Sequence, residues 1–242
     1  SSSRNHIIGL SALPGTGKTT LGLLIEKLAL RLHIKVSVVS MDDFYLPFSD
    51  MKEVIKDNPW NVSRGFPGSH SVNLMESKIL DWKNTGVLNH PVFDKSLRNG
   101  FGDRKYWKTT YPEILIIEGW FLGVKPLNLN SINNDLKGYP LLPEEITYRL
   151  KIQNNLNYYL KIWDLIDKIW QIKPYDFFYM NKWKSNQEEQ MLKEKGNALK
   201  DNELANFIRM LNYSIPQESF NMINSNYKII LNTNREVISA GL

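Results

Sequence analysis

The 242-residue sequence contains no cysteine. Its absence excludes disulfide bridges, thiolate metal sites and a cysteine nucleophile, and it fits a reducing compartment. We therefore expect a cytoplasmic protein. The sequence begins with Ser1 and enters its first apolar run at His6, so an N-terminal targeting segment ahead of it stays an alternative.

Long hydrophobic runs are also missing. The most apolar stretches, such as residues 114–117, have the length of a strand, whereas a membrane span needs about 18 apolar residues. With 42% hydrophobic and 23% charged residues, the chain can bury one substantial core. We expect a single domain over residues 1–242 and no membrane partner.

Clusters of basic residues are the third feature that the sequence lacks. It has 30 Lys and Arg residues and a net charge of +5, but no Lys/Arg block is longer than two. Proteins that bind nucleic acids usually concentrate their positive charge on one face or segment. We therefore predict no nucleic-acid partner, and we note that scattered positive charge suits small anions such as nucleotides.

What the sequence does contain is an alternation of strand and helix patterns. Residues 6–11 predict a buried strand, 17–31 a helix, and 36–41 a second strand. Two strands joined by a helix lie parallel in one sheet. Further strands are predicted near 114–117, 166–172 and 227–231. The expected fold class is α/β, with three layers in which helices flank a mostly parallel, five-stranded sheet.

Three regions lie outside this core pattern. Residues 44–70 and 87–112 are rich in proline, glycine and polar residues, and we interpret them as insertions on the substrate side, the second of them loop-like. Residues 176–223 predict one long polar helix and two shorter ones, which we interpret as a helical lid.

A glycine-rich turn between the first strand and the first helix matches the Walker A pattern of P-loop proteins. Gly15 and Gly17 let the backbone wrap around phosphate, so that N–H groups and the helix N-terminus point at it. Lys18 would reach the β- and γ-phosphates, and the Thr19 hydroxyl would hold Mg²⁺. ATP and Mg²⁺ are therefore the predicted cofactors. The predicted nucleotide-binding residues are Ala12, Pro14, Gly15, Thr16, Gly17, Lys18, Thr19 and Thr20, with Ala12 where the first glycine usually stands.

Two acidic residues follow apolar strands, and they indicate the reaction. Asp42 and Glu118 should lie at the carboxyl edge of the sheet, where the phosphate loop also lies. Transfer of a phosphoryl group to an alcohol needs a carboxylate that accepts the hydroxyl proton and an acid that helps to bind Mg²⁺. We assign Asp42 as the base and Glu118, with Thr19, to the metal. Asp43 is the weaker candidate of the neighbouring pair.

Several strings resemble one family of P-loop kinases. Ser40–Tyr45 (SMDDFY) is similar to the S-x-D-x-F-Y element of the superfamily of uridine kinase, phosphoribulokinase and pantothenate kinase, and supports Asp42 as the base. Narrower strings resemble the D-glycerate 3-kinase family: Arg64–His70 (RGFPGSH), Pro91–Ser96 (PVFDKS), Gly100–Arg104 (GFGDR), Glu118–Gly123 (EGWFLG) and Trp183–Glu188 (WKSNQE). The resemblance implies phosphorylation of D-glycerate to 3-phosphoglycerate. It weakens at 210–217, where the family's R-Y-x-x-P-x-Y region is only loosely matched.

Cationic residues in the loops between the acid-bearing strands suit a hydroxy-acid substrate. A carboxylate is bound best by charged donors, above all by arginine. Lys184 is predicted to neutralise the transferred phosphoryl group from the lid. Trp120 and Phe121 either line the acceptor pocket or belong to the core. The predicted substrate-binding residues are Asp42, Tyr45, Arg64, His70, Lys95 and Arg104.

Two other kinds of function stay open at this point. The first is another metabolite kinase that acts on pantothenate or on a nucleoside. The second is a non-catalytic ATP-binding or regulatory protein, or an ATPase associated with nucleic acid. The acids Asp42 and Glu118 argue against a non-catalytic protein. The scattered basic residues argue against an ATPase associated with nucleic acid.

Overall fold

A six-stranded sheet forms the centre of the computed structural model, which describes residues 5–127, 140–196, 198–199 and 201–242. The strand order is β2-β5-β1-β6-β7-β8. The first five strands in this order are parallel, and β8 joins antiparallel to β7. The sheet strands are β1 His6–Ala12, β2 Val36–Ser40, β5 Ile114–Gly119, β6 Lys168–Pro174, β7 Tyr227–Leu231 and β8 Val237–Gly241.

The α/β class is confirmed, but the predicted strand number of five is wrong. The five predicted strands are the parallel ones. The sixth, β8, was missed because it is short and mostly exposed, so it lacks the apolar run by which a buried strand is found.

Helices pack on both faces of the sheet. Alternate residues of β5 enter different clusters: Leu115 and Ile117 face one hydrophobic cluster, and Ile116 faces another. The first cluster includes α3 and α4, and the second includes α1 and α5, as expected for three layers. The helices are α1 Lys18–Arg31, α2 Phe48–Val54, α3 Val72–Thr85, α4 Pro143–Trp163, α5 Tyr179–Lys195, α6 Asp201–Tyr213 and α7 Gln217–Asn221.

A separate antiparallel hairpin corrects the prediction for residues 87–112. Instead of a loop, β3 (Leu88–Asp94) pairs with β4 (Asp103–Thr110). Pro91 argued against a strand, but a two-stranded hairpin has free edges on which a missing N–H is tolerated. The hairpin contacts the 3-10 turn Met41–Phe44, which follows β2. It therefore stands over the carboxyl edge of the sheet.

No helix in the described ranges is long and apolar enough to cross a membrane.

Candidate active site

The predicted phosphate loop contains two glycines in the left-handed backbone region. Gly15 and Gly17 both have positive φ angles, 77° and 94°, which glycine adopts without a steric penalty. Lys18, the first residue of α1, folds back over the loop, and its Nζ donates to the carbonyl oxygen of Leu13 at 3.2 Å. Lys18 therefore lies across the loop.

The other predicted nucleotide-binding residues surround this loop. Thr16 is buried, and its hydroxyl donates to the carbonyl oxygen of Leu13 at 2.8 Å. Ala12 is the buried last residue of β1, and Pro14 is half-buried. Thr19 and Thr20 are exposed in the first turn of α1. Their hydroxyls are therefore accessible to a ligand at the helix N-terminus.

Strand register brings the two predicted acids to the loop. Glu118 of β5 pairs with Leu10 of β1 on one side and with Ser40 of β2 on the other. Asp42 follows β2 in the 3-10 turn, where its backbone N–H donates to the Ser40 hydroxyl at 3.2 Å. Because β1, β2 and β5 are adjacent and parallel, their carboxyl ends form one edge. The structure thus brings the ends of these three strands together at one edge, as the sequence predicts.

Charges at this edge interact strongly. Burial lowers the pKa of Lys18, and the nearby carboxylates of Glu118 and Asp42 oppose that change. Burial also raises the pKa of Glu118, and Lys18 opposes it. Lys95 and Lys184 act on Lys18 as further positive charges. Phosphate would therefore enter a site that already holds several cations and two acids.

Asp42 forms a direct ion pair with Lys95. Lys95 Nζ lies 2.6 Å from Asp42 Oδ2, and 31% of the Asp42 side chain is exposed. Burial raises the pKa of Asp42, but Lys95 and a hydrogen bond from the Tyr45 hydroxyl outweigh it and hold the pKa well below its usual range. Asp42 is therefore ionised at neutral pH, which is the form of a carboxylate that can accept a proton.

His70 lies near Asp42, and Arg64 lies near Tyr45. The His70 ring stacks on Tyr45 with centroids 4.5 Å apart, and its charge state is coupled to Asp42. Arg64 acts electrostatically on Tyr45, while its Nη1 donates to the carbonyl oxygens of Gly100 at 2.8 Å and Phe101 at 2.7 Å. Arg64 thus ties the tip of the hairpin to the site.

Arg104 has a different environment. Its Nη2 donates to the hydroxyl of Ser71 at 2.6 Å, and its charge interacts with Asp50 and Asp103. None of the Arg104 contacts found within the described ranges involves Asp42. Its guanidinium holds the segment next to His70, and a role in substrate binding stays a prediction.

Lys184 on α5 is buried against Glu188. The two side chains form an i,i+4 ion pair, and Lys184 also lies over the ring of Phe207 at 4.9 Å. Burial lowers the pKa of Lys184, and Glu188 opposes this effect. Lys184 also interacts electrostatically with Asp42 and Lys95, and because it is buried it is not a solvated surface lysine.

The ion pair of Lys184 gives a stability prediction. We expect Glu188→Gln to lower the free energy of unfolding by about 3 kcal/mol, because it leaves a buried ammonium without its counter-charge. Urea unfolding followed by circular dichroism measures the loss. Glu189→Gln, an exposed neighbour on the same helix, is the matched control and should change little. Equal unfolding midpoints for the two variants would contradict the prediction.

Trp120 belongs to the core, and one edge of it lines a cavity. It is buried, its Nε1 donates to the carbonyl oxygen of Gly65 at 2.6 Å, and it stacks on Phe220. A cavity of about 150 Å³ lies beside it, between the ends of β1 and β6 and helix α7. Phe121 is fully packed in the core, where it contacts His70 and Tyr159.

The residues present fit Mg²⁺ that arrives with a nucleotide. Mg²⁺ is usually held by one or two carboxylates together with phosphate oxygens and water. Within the described ranges no group of three or more acidic or histidine side chains could form a complete metal cage. Glu118 and the exposed Thr19 hydroxyl supply one carboxylate and one hydroxyl beside Lys18, which matches such a shared site.

Sequence reasoning missed Ser40. Its hydroxyl accepts the backbone N–H of Asp42 at 3.2 Å and also donates to the Glu118 carboxylate. One side chain therefore links the two acids. The signal was present, since Ser40 is the first residue of the S-x-D-x-F-Y string, but only the aspartate of that string was given a role.

Asp43 has a structural contact that explains its place in that string. Its Oδ1 accepts the backbone N–H of Phe93 at 3.2 Å, across to the hairpin. Burial raises the pKa of Asp43. The two neighbouring aspartates are thus separated in role: Asp42 faces the charged site, and Asp43 anchors β3 over it.

Known proteins resemble this chain over most of its length. A kinase of Schizosaccharomyces pombe named mug58, itself uncharacterized, is 27% identical over 242 residues, which cover 95% of this chain and 85% of that protein. The chloroplastic D-glycerate 3-kinase of Arabidopsis thaliana is 31% identical over 217 residues, 84% of this chain but only 45% of the plant enzyme. No family model matches the chain.

A comparison with solved structures gives the same result as the comparison of sequences. The D-glycerate 3-kinase of Cryptococcus neoformans superposes with a TM-score of 0.85 at 28% identity, over 98% of this chain and 89% of that one. Pantothenate kinase of Streptococcus equi is 32% identical, but over 118 residues, 48% of this chain and 37% of that enzyme. The resemblance predicted from the sequence is confirmed: the chain is similar to D-glycerate 3-kinases both in sequence and in structure.

Proposed function

We propose that the chain transfers the γ-phosphoryl group of ATP to a hydroxyl of D-glycerate and releases 3-phosphoglycerate and ADP. The coarser part of this statement, an ATP-dependent small-molecule kinase, is supported by the kinase relatives that match 84% to 98% of the chain. The observation that carries the finer part is the contact between Asp42 and Lys95 at 2.6 Å, on the sheet edge where Lys18 lies.

That contact suits a short hydroxy acid. Glycerate has three carbons, so its carboxylate and the hydroxyl that reacts are close together. Asp42 would accept the hydroxyl proton, and Lys95 would attract the carboxylate. His70 lies near Asp42 and Arg64 lies near Tyr45, and both would contribute further donors. A base and a cation in direct contact are thus the pair that such a substrate requires.

The proposed chemical step is a direct transfer of the γ-phosphoryl group from ATP to the acceptor hydroxyl. The substrate hydroxyl oxygen forms a bond to the γ-phosphorus, and the bond from that phosphorus to the bridging oxygen of ADP breaks. The hydroxyl proton passes to the Asp42 carboxylate. Lys18 and the backbone N–H groups of the phosphate loop hold the triphosphate and stabilise its charge, and Lys184 adds a cation from α5.

The metal would complete this arrangement. Thr19 and Glu118 are the residues that would hold Mg²⁺, as predicted from the sequence. When bound, Mg²⁺ neutralises charge on the β- and γ-phosphates. Glu118 is oriented for this task by the Ser40 hydroxyl.

Different regions of the chain around the site are assigned different roles. We propose one domain over residues 1–242, in which the insertions 44–70 and 87–112 bind the acceptor and the helical region 176–223 closes over the nucleotide. The hairpin β3–β4 and the segment Arg64–His70 lie in those insertions. A cytoplasmic location also stays a prediction.

A panel of acceptors tests the proposed activity. ADP release, coupled to pyruvate kinase and lactate dehydrogenase, should be rapid with D-glycerate and slow with L-glycerate, pantothenate or uridine. Phosphorus NMR of the product should identify the phosphate at the 3-position. The Lys18→Ala variant serves as the control for a contaminating kinase.

Two outcomes would contradict the proposal. The first is a signal with pantothenate and none with glycerate, which would favour the relatives that match half of the chain. The second is ADP release that is stimulated by an oligonucleotide and not by any hydroxy acid.

A further inference from the structure

Tyr159 is a buried tyrosine that contacts the site without belonging to any of its motifs. It lies on α4, fully buried, and its hydroxyl oxygen is 2.9 Å from Nδ1 of His70. The same oxygen lies 2.9 Å from the backbone nitrogen of Gly68. The side chain thus reaches from a core helix to the segment that carries His70.

The hydrogen bonds of Tyr159 determine where its proton goes. A phenol has one proton to donate and two lone pairs that accept. The backbone N–H of Gly68 donates to the phenol oxygen, so that contact uses a lone pair and not the hydroxyl proton. The hydroxyl proton still needs an acceptor, and Nδ1 of His70 is the acceptor in reach.

The opposite arrangement, with the proton on Nδ1 of His70, leaves a buried donor without an acceptor. If Nδ1 carried a proton, the Tyr159 hydroxyl would have no acceptor among the residues that the structure describes, and a buried donor without a partner is costly. Ser69 does not donate a hydrogen bond to Nδ1 in place of Tyr159. Its Oγ is 3.5 Å from Nδ1, and its proton is used in a 2.6 Å bond to the carbonyl oxygen of Phe66.

His70 is also held in its neutral form. Burial lowers its pKa to about 4, and Asp42 opposes that change only in part, while Lys95 adds to it. Tyr45 and Phe121 cover the ring with aromatic surface. With Nδ1 accepting and the ring neutral, the proton of His70 lies on Nε2, an atom for which the described residues supply no partner.

We propose that Tyr159 is a positioning residue for the acceptor: its hydroxyl fixes His70 as the Nε2-protonated tautomer, so that a neutral N–H donor faces the hydroxy acid beside Asp42. This inference rests on the proposed function for the identity of the acceptor. The hydrogen-bond network of His70 does not depend on that identity.

The tautomer can be observed directly. Nitrogen-15 NMR of histidine side chains distinguishes a protonated from an unprotonated ring nitrogen, and the chain has only four histidines, of which His70→Asn assigns one. We expect His70 to carry its proton on Nε2 in the unaltered protein. In Tyr159→Phe we expect a mixture of tautomers. A proton on Nδ1 in the unaltered protein would overturn the proposal.

Kinetics supply the second measurement. Tyr159→Phe should raise the KM for D-glycerate by about fivefold to tenfold, as expected for loss of one oriented hydrogen bond, and leave the KM for ATP within twofold. Tyr158→Phe is the matched control, because Tyr158 is the preceding residue on the same helix and is exposed. A change in both Michaelis constants alike would mean that Tyr159 is merely structural.

A double-mutant cycle tests whether Tyr159 acts through His70. His70→Gln keeps an N–H donor near the position of Nε2, so we expect it to bind glycerate better than His70→Asn does. Adding Tyr159→Phe to His70→Gln should then have little further effect on the KM for glycerate. A full additional effect would refute the positioning role.

The two proposals fail in different ways. If the unaltered protein has no activity with glycerate but His70 shows the Nε2 tautomer, which Tyr159→Phe disturbs, the proposed substrate is wrong and the role of Tyr159 holds. If glycerate is a good substrate and Tyr159→Phe changes neither the tautomer nor the KM, the role of Tyr159 is wrong.

Discussion

Replacement of Asp42 by asparagine is expected to lower kcat by at least about 10²-fold, within the range found for loss of a general base. Asparagine keeps the size of the side chain and one oxygen, but it cannot take the hydroxyl proton. The pair with Lys95 at 2.6 Å becomes a neutral contact at the same time. The coupled ADP assay with saturating ATP and D-glycerate measures the effect.

The neighbouring aspartate is the control for this change. In Asp43→Asn the side-chain oxygen can still accept the backbone N–H of Phe93, so the hairpin keeps its anchor. We expect its kcat to fall by only a few-fold. Near-normal turnover in Asp42→Asn, or a greater loss in Asp43→Asn, would remove the assignment of Asp42 as the base.

Removal of the Lys18 side chain is expected to abolish transfer, with a fall in kcat of about 10³-fold or more. The size follows from the loss of a charged donor from a site in which transition-state charge develops. Lys18 Nζ makes one hydrogen bond within the described ranges, to the carbonyl oxygen of Leu13. The fold should therefore survive Lys18→Ala, and circular dichroism should be unchanged.

Lys27→Ala separates this effect from a loss of helix stability. Lys27 lies on the same helix, α1, and is exposed. It should keep full activity. If Lys18→Ala retained more than a tenth of the turnover, the lysine of the phosphate loop would not have the role that the kinase mechanism requires.

The strand ends of the site could be predicted because parallel sheets impose a simple rule. Once β1, β2 and β5 are recognised as apolar runs separated by helices, their carboxyl ends must share one edge. Lys18, Asp42 and Glu118 each follow such a run. The electrostatic interactions of Lys18 with Asp42 and Glu118 are consequences of that topology.

The hairpin and the last strand could not be recognised in this way. β4 (Asp103–Thr110) is polar and largely exposed, and it has no alternation of apolar residues that would indicate a buried face. Pro91 and two glycines near the turn favoured a loop. Only the pairing of β3 with β4 over the 3-10 turn makes these residues a strand.

Contacts between segments that are distant in the sequence could not be predicted either. Tyr159 and His70 are 89 positions apart, and nothing in the local pattern of α4 distinguishes Tyr159 from other residues that face the core. Lys184 could be named from a family string, but its burial against Glu188 depends on how α5 packs. Such neighbours follow from tertiary packing and not from periodicity.

The packing of α5 on the phosphate loop puts two separate demands on one residue. A Cβ atom at position 15 would lie 2.7 Å from the backbone of Trp183, closer than real atoms approach. Gly15 is therefore required for the helix that covers it as well as for the turn itself. A related protein that no longer binds nucleotide would still need glycine at this position, because the helix packs against it. A Walker-like string in such a sequence would then reflect helix packing and not nucleotide binding.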